Sequence, residues 1–403
     1  MPPSSVPVTE WLAGPDRQDF PWSVQILGPS LTLQQHNLVQ IVAALRGRDL
    51  LRGVSIRDLH FVTKIADDQG NWLEGQSYSH FVTPADFSPG DTLRSFSNLY
   101  LRPGSYTVAM IAYDSLHHSG NVWRSKLSVD PVNDLLPALG RAFPAVEFLP
   151  EVSLSPLLKD VTWSLTSQLA LASLMVDPLA LGHGTADLPI ANKRPVRIDV
   201  IVNLSDGMEV LTRQQEASWW YKYDEGWMLQ VGNLLSQLAP QEGCVRFSAI
   251  DILRHDVVVD RVDSQNVDWD NISKKIAATE LDKIDIKTLT QKETALWFKQ
   301  FVERVTEDAY SCALRDAVPE HVVVVVSRAM PFPIHATVEA VESNTPEPLS
   351  YYLVALYANG SLNWDEIEKV LKPMKPKRLP FTGALGLRRT VEFIMTDLAS
   401  SSK

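Results

Sequence analysis

The sequence predicts a multidomain chain, all-β first and α/β after. An N-terminal β-sandwich is followed by a C-terminal doubly wound, mostly parallel sheet. Three observations predict it. Short alternating apolar runs, bounded by turn residues, fill the stretch from about 24 to 129. From Pro195 onward, strands of the buried kind alternate with stretches whose apolar residues recur at helical spacing. Finally, 403 residues, of which 45% are hydrophobic and 21% charged, exceed one ordinary domain and suffice for more than one core. The expected division is a sandwich over 20–130, a connector with packed structure over 131–194, and an α/β domain over 195–403.

In the first segment, Val24–Ile26, Val39–Leu45 and Ile56–Ile65 read as strands, and Asp67–Gly70 as a turn. Leu99–Tyr113 is the clearest β segment. Pro103-Gly104 makes its tight turn, after which Tyr106, Val108 and Met110 alternate with Thr107, Ala109 and Ile111. The run Leu-Arg-Pro-Gly-Ser-Tyr-Thr-Val over 101–108 resembles the penultimate strand of bacterial immunoglobulin-like and fibronectin-like domains. That resemblance gives Tyr106 the part of the corner tyrosine closing a sandwich. His117-His118 reads as a solvated hairpin tip rather than a metal site, because adjacent side chains on an extended chain point apart. His183, between Gly182 and Gly184, reads as an exposed loop residue in the connector.

In the second segment, Arg197–Leu204 is a buried strand ended by Ser205-Asp206-Gly207. A helical stretch over about 212–238 leads to a hairpin of Cys244–Ile252 and Val257–Val262. Helical patterns recur over 267–281 and 291–317; the second aligns Phe298, Phe301, Val305, Ala309 and Cys312 on one face. Five consecutive valines, Val322–Val326, demand a central strand covered on both faces. Tyr351–Tyr357 is a further strand, followed by a helix over 363–371, a short strand over 378–381 and a last helix over 385–398. Lys372–Arg378 is a basic stretch broken by prolines and reads as a solvated loop.

This order resembles the von Willebrand factor A fold, a Rossmann-like arrangement, from about Pro195 to the end, and more particularly a bacterial von Willebrand A-related group. The resemblance implies a metal-ion-dependent adhesion site, where Asp-x-Ser-x-Ser, a Thr and a second Asp hold a hard cation by oxygen ligands. At the matching positions this chain has Asn203, Ser205 and Gly207, and Thr-Asp-Gly becomes Ser327-Arg328-Ala329. Thr288 or Thr290 stands in for the threonine, and Asp206 is one residue out of register. With both carboxylates gone, the resemblance implies a degenerate site with no metal and no cofactor.

The expected function is therefore a non-enzymatic protein–protein interaction or adhesion-type module. The alternative is a hydrolase or small-molecule site at the carboxyl edge of the sheet around Ser205, with His255 or His335 as the base. A third reading keeps a cation on Ser205, Asp206 and a Thr. Gly-x-Ser-x-Gly, Gly-x-Gly-x-x-Gly and phosphate-loop motifs are all missing from the sequence. Trp219, Trp220, Tyr223 and Trp227 crowd one helical stretch and suggest an aromatic interaction patch, or packing on a neighbouring segment.

Thirty-seven Lys and Arg stand against 48 Asp and Glu, a net charge of −11, which argues against a nucleic-acid partner. No apolar stretch is long enough to span a bilayer, so no membrane insertion is expected. The expected partner is an unidentified protein. Met-Pro-Pro-Ser-Ser is not a signal peptide, which as written suits the cytoplasm, whereas the family resemblance implies a periplasmic or secreted protein. Cys244 and Cys312 lack metal-ligand spacing and read as two packed core thiols.

Overall fold

Alternation in the first segment puts one set of side chains inward and leaves the other for a second layer. In the computed structural model, which describes residues 6–54, 56–83, 87–132, 144–149, 188–205, 228–269, 271–272, 291–307, 320–328, 349–356, 367 and 370–400, this alternation builds two antiparallel sheets. One has the order β1 (Arg17–Gln18), β8 (Ser119–Val129), β7 (Gly104–Asp114), β4 (Asp58–Ala66), β5 (Ser77–Val82). The other has the order β2 (Ser23–Leu31), β3 (Asn37–Arg46), β6 (Thr92–Leu101), β9 (Val146–Phe148). Val39, Ile41 and Leu45 of β3 share a buried core with Leu59, Phe61 and Ile65 of β4 and with Val108 and Met110 of β7. The opposite face of β4 and β7 carries Val62, Ile111 and Tyr113, covered by Trp11 of the helix Val8–Ala13. Trp11 meets Tyr113 edge-on at 5.2 Å between ring centroids. Tyr106 Oη donates to the Arg102 carbonyl at 2.9 Å, fastening the turn that the sequence places at Pro103-Gly104.

The chain divides into two compact units. The second holds a parallel pair, β10 (Leu188–Ile190) with β12 (Leu238–Pro240), and a six-stranded mixed sheet. The order of that sheet is β14 (Asp256–Asp263), β13 (Gly243–Asp251), β11 (Val196–Asn203), β15 (Glu320–Arg328), β16 (Leu349–Leu356), β17 (Lys377–Phe381). β14 runs antiparallel to β13, and the other neighbours are parallel. All eight residues of β11 are buried. The five valines lie in β15 between β11 and β16, as a strand buried on both faces requires. Phe298, Phe301, Val302 and Val305 of the helix Gln291–Glu307 pack on the sheet face that bears Ile201, Ile250, Val323 and Val325.

The expectation of a doubly wound, mostly parallel, Rossmann-like α/β fold is corrected. The described residues are 48% strand and 25% helix, in two antiparallel sheets, one mixed sheet and one parallel pair, with few helices. The physical reason lies in what periodicity reports. It distinguishes a buried strand from an amphipathic helix, but it does not say which strand pairs with which, or how much of a chain the helices occupy. The hairpin of β13 and β14 turns one edge antiparallel, and the described residues of the first unit form strands, apart from short helical turns. Most of the helical stretches expected over 212–238 and 267–281 lie outside the described residues.

Cys244, in β13, is disulfide-bonded rather than a free core thiol. The only other cysteine of the sequence, Cys312, lies outside the described residues.

Candidate functional site

Parallel strands that end at one edge bring their last side chains together. β11 ends at Asn203 and its neighbour β15 at Arg328, with Val202 paired to Val326, so Asn203 comes beside Ser327. Asn203 Nδ2 donates to Ser327 Oγ at 3.0 Å, and Asn203 Oδ1 accepts from the Ser205 amide at 3.1 Å. On the other side of β11, β13 ends at Asp251. Ser205 Oγ donates to Asp251 Oδ1 at 2.9 Å and accepts from the Leu253 amide at 3.1 Å. Asp251 also accepts from the Arg254 amide at 3.0 Å and is ion-paired with the Arg254 guanidinium. Asn203, Ser205, Asp251 and Ser327 are all buried.

Among the described residues, the bonds at this edge do not form the serine–histidine or cation-ligand sets expected for it. Ser205 has a carboxylate, not an imidazole, as its hydrogen-bond acceptor. His255 Nε2 lies 3.2 Å from Thr294 Oγ1, and its ring stacks on Trp297. The Asp251 carboxylate, the one acid beside Ser205 among the described residues, already faces the cationic Arg254. A nucleophilic serine needs a base that can take its proton, and a hard cation needs carboxylates free to bind it.

Of the expected site residues, the structure brings Asn203, Ser205 and Ser327 together at the ends of β11 and β15. The Arg328 backbone ends β15, and its side chain is outside the described residues. Asp206, Gly207, Thr290, Trp219, Trp220, Tyr223, Trp227, His183 and His335 also lie outside them. Asp251 and Arg254 were missed by sequence reasoning. The signal for Asp251 was present, since an Asp closing a buried apolar strand needs a partner, but its partner was set by the parallel register of β11 and β13.

A second polar cluster, also missed, lies on the same sheet face toward the other end of the strands. Asp199 accepts two bonds from Arg246, at 2.7 and 2.9 Å, and lies 2.7 Å from His321 Nε2. Arg197 Nη2 lies 2.8 Å from His321 Nδ1, so the imidazole can accept from Arg197 while donating to Asp199. All four residues are buried. Burial opposes the charged carboxylate of Asp199, but hydrogen bonds from His321 and Arg246 outweigh it and hold this carboxyl below its ordinary range. The sequence signal was the Arg197-Ile-Asp199 alternation inside a strand otherwise fit for full burial.

Two clefts in the described structure lie away from Ser205. One, of about 600 Å³, is lined by Val8, Leu12, Lys64 and Trp72, and the other by Arg261, Glu303 and Arg304. No helix among the described residues is long and apolar enough to cross a membrane.

No family model matches the chain, and no curated protein matches it. Among solved structures, an ApaA protein from Bordetella pertussis is 12% identical, over 27% of this chain and 94% of its own, with a TM-score of 0.17. A β-glucuronidase of Bacteroides uniformis is 8% identical, over 75% of this chain and 33% of its own, with a TM-score of 0.22. A family 123 glycoside hydrolase from Clostridium perfringens is 7% identical, over 90% and 72%, with a TM-score of 0.27. Likenesses of this size carry no argument about fold or activity, and they do not show a von Willebrand A domain.

Proposed function

We propose that this chain is a non-enzymatic protein-interaction module, adhesion-like in use, whose polar site at the carboxyl ends of β11, β13 and β15 works without a metal. The bond set around Ser205 carries this reading: its hydroxyl is buried against Asp251, and Asp251 is neutralised by Arg254. A site wired in this way braces the loops above the sheet. Among the described residues it leaves neither a serine–histidine pair nor an open carboxylate. Exposed apolar side chains in the first unit support a partner surface: Ile56, Val82 and Leu116 are 52, 51 and 56% exposed. Val82 pairs with Asp58, and Leu116 follows Ser115, whose amide donates to the Asp58 carbonyl. The disulfide at Cys244 supports an oxidising compartment, hence a periplasmic or secreted protein.

The test is capture of a protein partner on the immobilised full chain in EDTA, together with an assay for hydrolysis of activated esters. The expected result is a partner retained in chelator and released by Ile56→Asp with Leu116→Asp, with no ester turnover that depends on Ser205. Ester turnover abolished by Ser205→Ala would overturn the reading in favour of a hydrolase.

A further inference from the structure

We propose that Asp58, His60 and His80 form a binding site for a divalent transition-metal ion, of the zinc class, on the five-stranded sheet of the first unit. The register makes the cluster. Asp58 and His60 are two apart on β4 and so share a face, and His60 lies directly opposite His80 of β5. One ligand atom from each residue lies within 4.8 Å of the other two. His80 Nε2 is 2.5 Å from Asp58 Oδ1, and His60 Nε2 is 3.5 Å from Asp58 Oδ2.

Two imidazole nitrogens and one carboxylate are a donor set suited to zinc. Tetrahedral bonds of about 2.0–2.1 Å would place ligand atoms about 3.3 Å apart. The His60–Asp58 separation already matches that spacing and is too long for a good hydrogen bond. The His80 side chain is 44% exposed, so it has room to open from Asp58 by the roughly 0.8 Å required. Outer partners hold the ligands in place. His60 Nδ1 lies 3.0 Å from Tyr78 Oη, which fixes the ring with Nε2 toward Asp58, and Ser115 Oγ donates to Asp58 Oδ2. The rings of His60 and His80 stack at 4.7 Å, so their nitrogens approach Asp58 from one side. Solvent would complete the coordination where His80 and Asp58 reach the surface. The site lies in the first unit and does not depend on the reading of Ser205.

Isothermal titration of the untagged full chain with ZnCl₂, and cobalt titration followed by visible absorption, test this site. The expected result is one saturable site per chain, with tetrahedral-type cobalt bands. His80→Ala, at an exposed position, and Asp58→Asn should each weaken zinc binding by about 100-fold or more, while His117→Ala, in the neighbouring hairpin, leaves it unchanged. Absence of saturable zinc binding, or binding that His80→Ala reduces by less than about 10-fold, would overturn the proposal. Metal-free melting temperatures of the variants separate loss of the site from loss of the fold.

Discussion

Asp199 is the residue on which burial and charge act most sharply. Its carboxylate has left water for the sheet interior, where Arg246 and His321 replace the lost hydration with directed bonds. Removing the carboxylate takes two charge-assisted bonds from buried Arg246 and one from buried His321, so Asp199→Ala should lower stability by about 3–5 kcal/mol in urea unfolding. The pH dependence has a definite sign. A carboxyl whose folded pKa is depressed contributes stability at pH values above its ordinary 3.8, and that contribution fades as pH falls through the lower folded value. The acid limb of the stability profile should therefore flatten in Asp199→Ala; an unchanged limb would remove Asp199 from the cause. At this scale the sequence was partly legible. Asn203, Ser205 and Ser327 were placed together by the expectation of strand ends at one edge. Asp251, Arg246 and His321 were not, since each is defined by a partner some 45 to 120 residues away.

Elements were legible where composition leaves one choice. Five valines in a row admit only a strand covered on both faces, and β15 is that strand. The helix Gln291–Glu307 follows from Phe298, Phe301 and Val305 at helical spacing. Pairing was less legible. β4 and β5 are separated by a turn whose length does not dictate register, so the meeting of His60 with His80 appears only in the structure. Close approach between elements was also hidden. Gly232, in the helical residues 228–236, lies so near the sheet that an added Cβ would meet Val202 Cγ2 at 2.4 Å and Phe247 at 3.0 Å. Both neighbours are fully buried, which leaves little room to yield. Gly232→Ala should cost about 1–3 kcal/mol by overpacking, read as a lowered melting temperature; a neutral or raised value would show that the sheet face can relax.

Across the whole molecule, the β-rich character outweighs the alternating strand–helix pattern that the second half of the sequence suggests. The reason is the weight of the first unit, which contributes nine strands among the described residues, together with the antiparallel edge at β14. Among the described residues of the second unit, two buried, internally bonded polar sets lie on the sheet, one toward each end of β11. On the proposed reading, the strand-end site works without a metal because, among the described residues, Ser205, Asp251 and Arg254 are bound to each other. The most direct measurement is the melting temperature of the full chain during titration with Mg²⁺, in a His80→Ala background to silence the first unit's site. A ligand that binds only the native state must raise its stability by mass action. The account predicts no rise that depends on Ser205 up to millimolar Mg²⁺. A rise that Ser205→Ala abolishes would contradict it and restore a cation-dependent adhesion site.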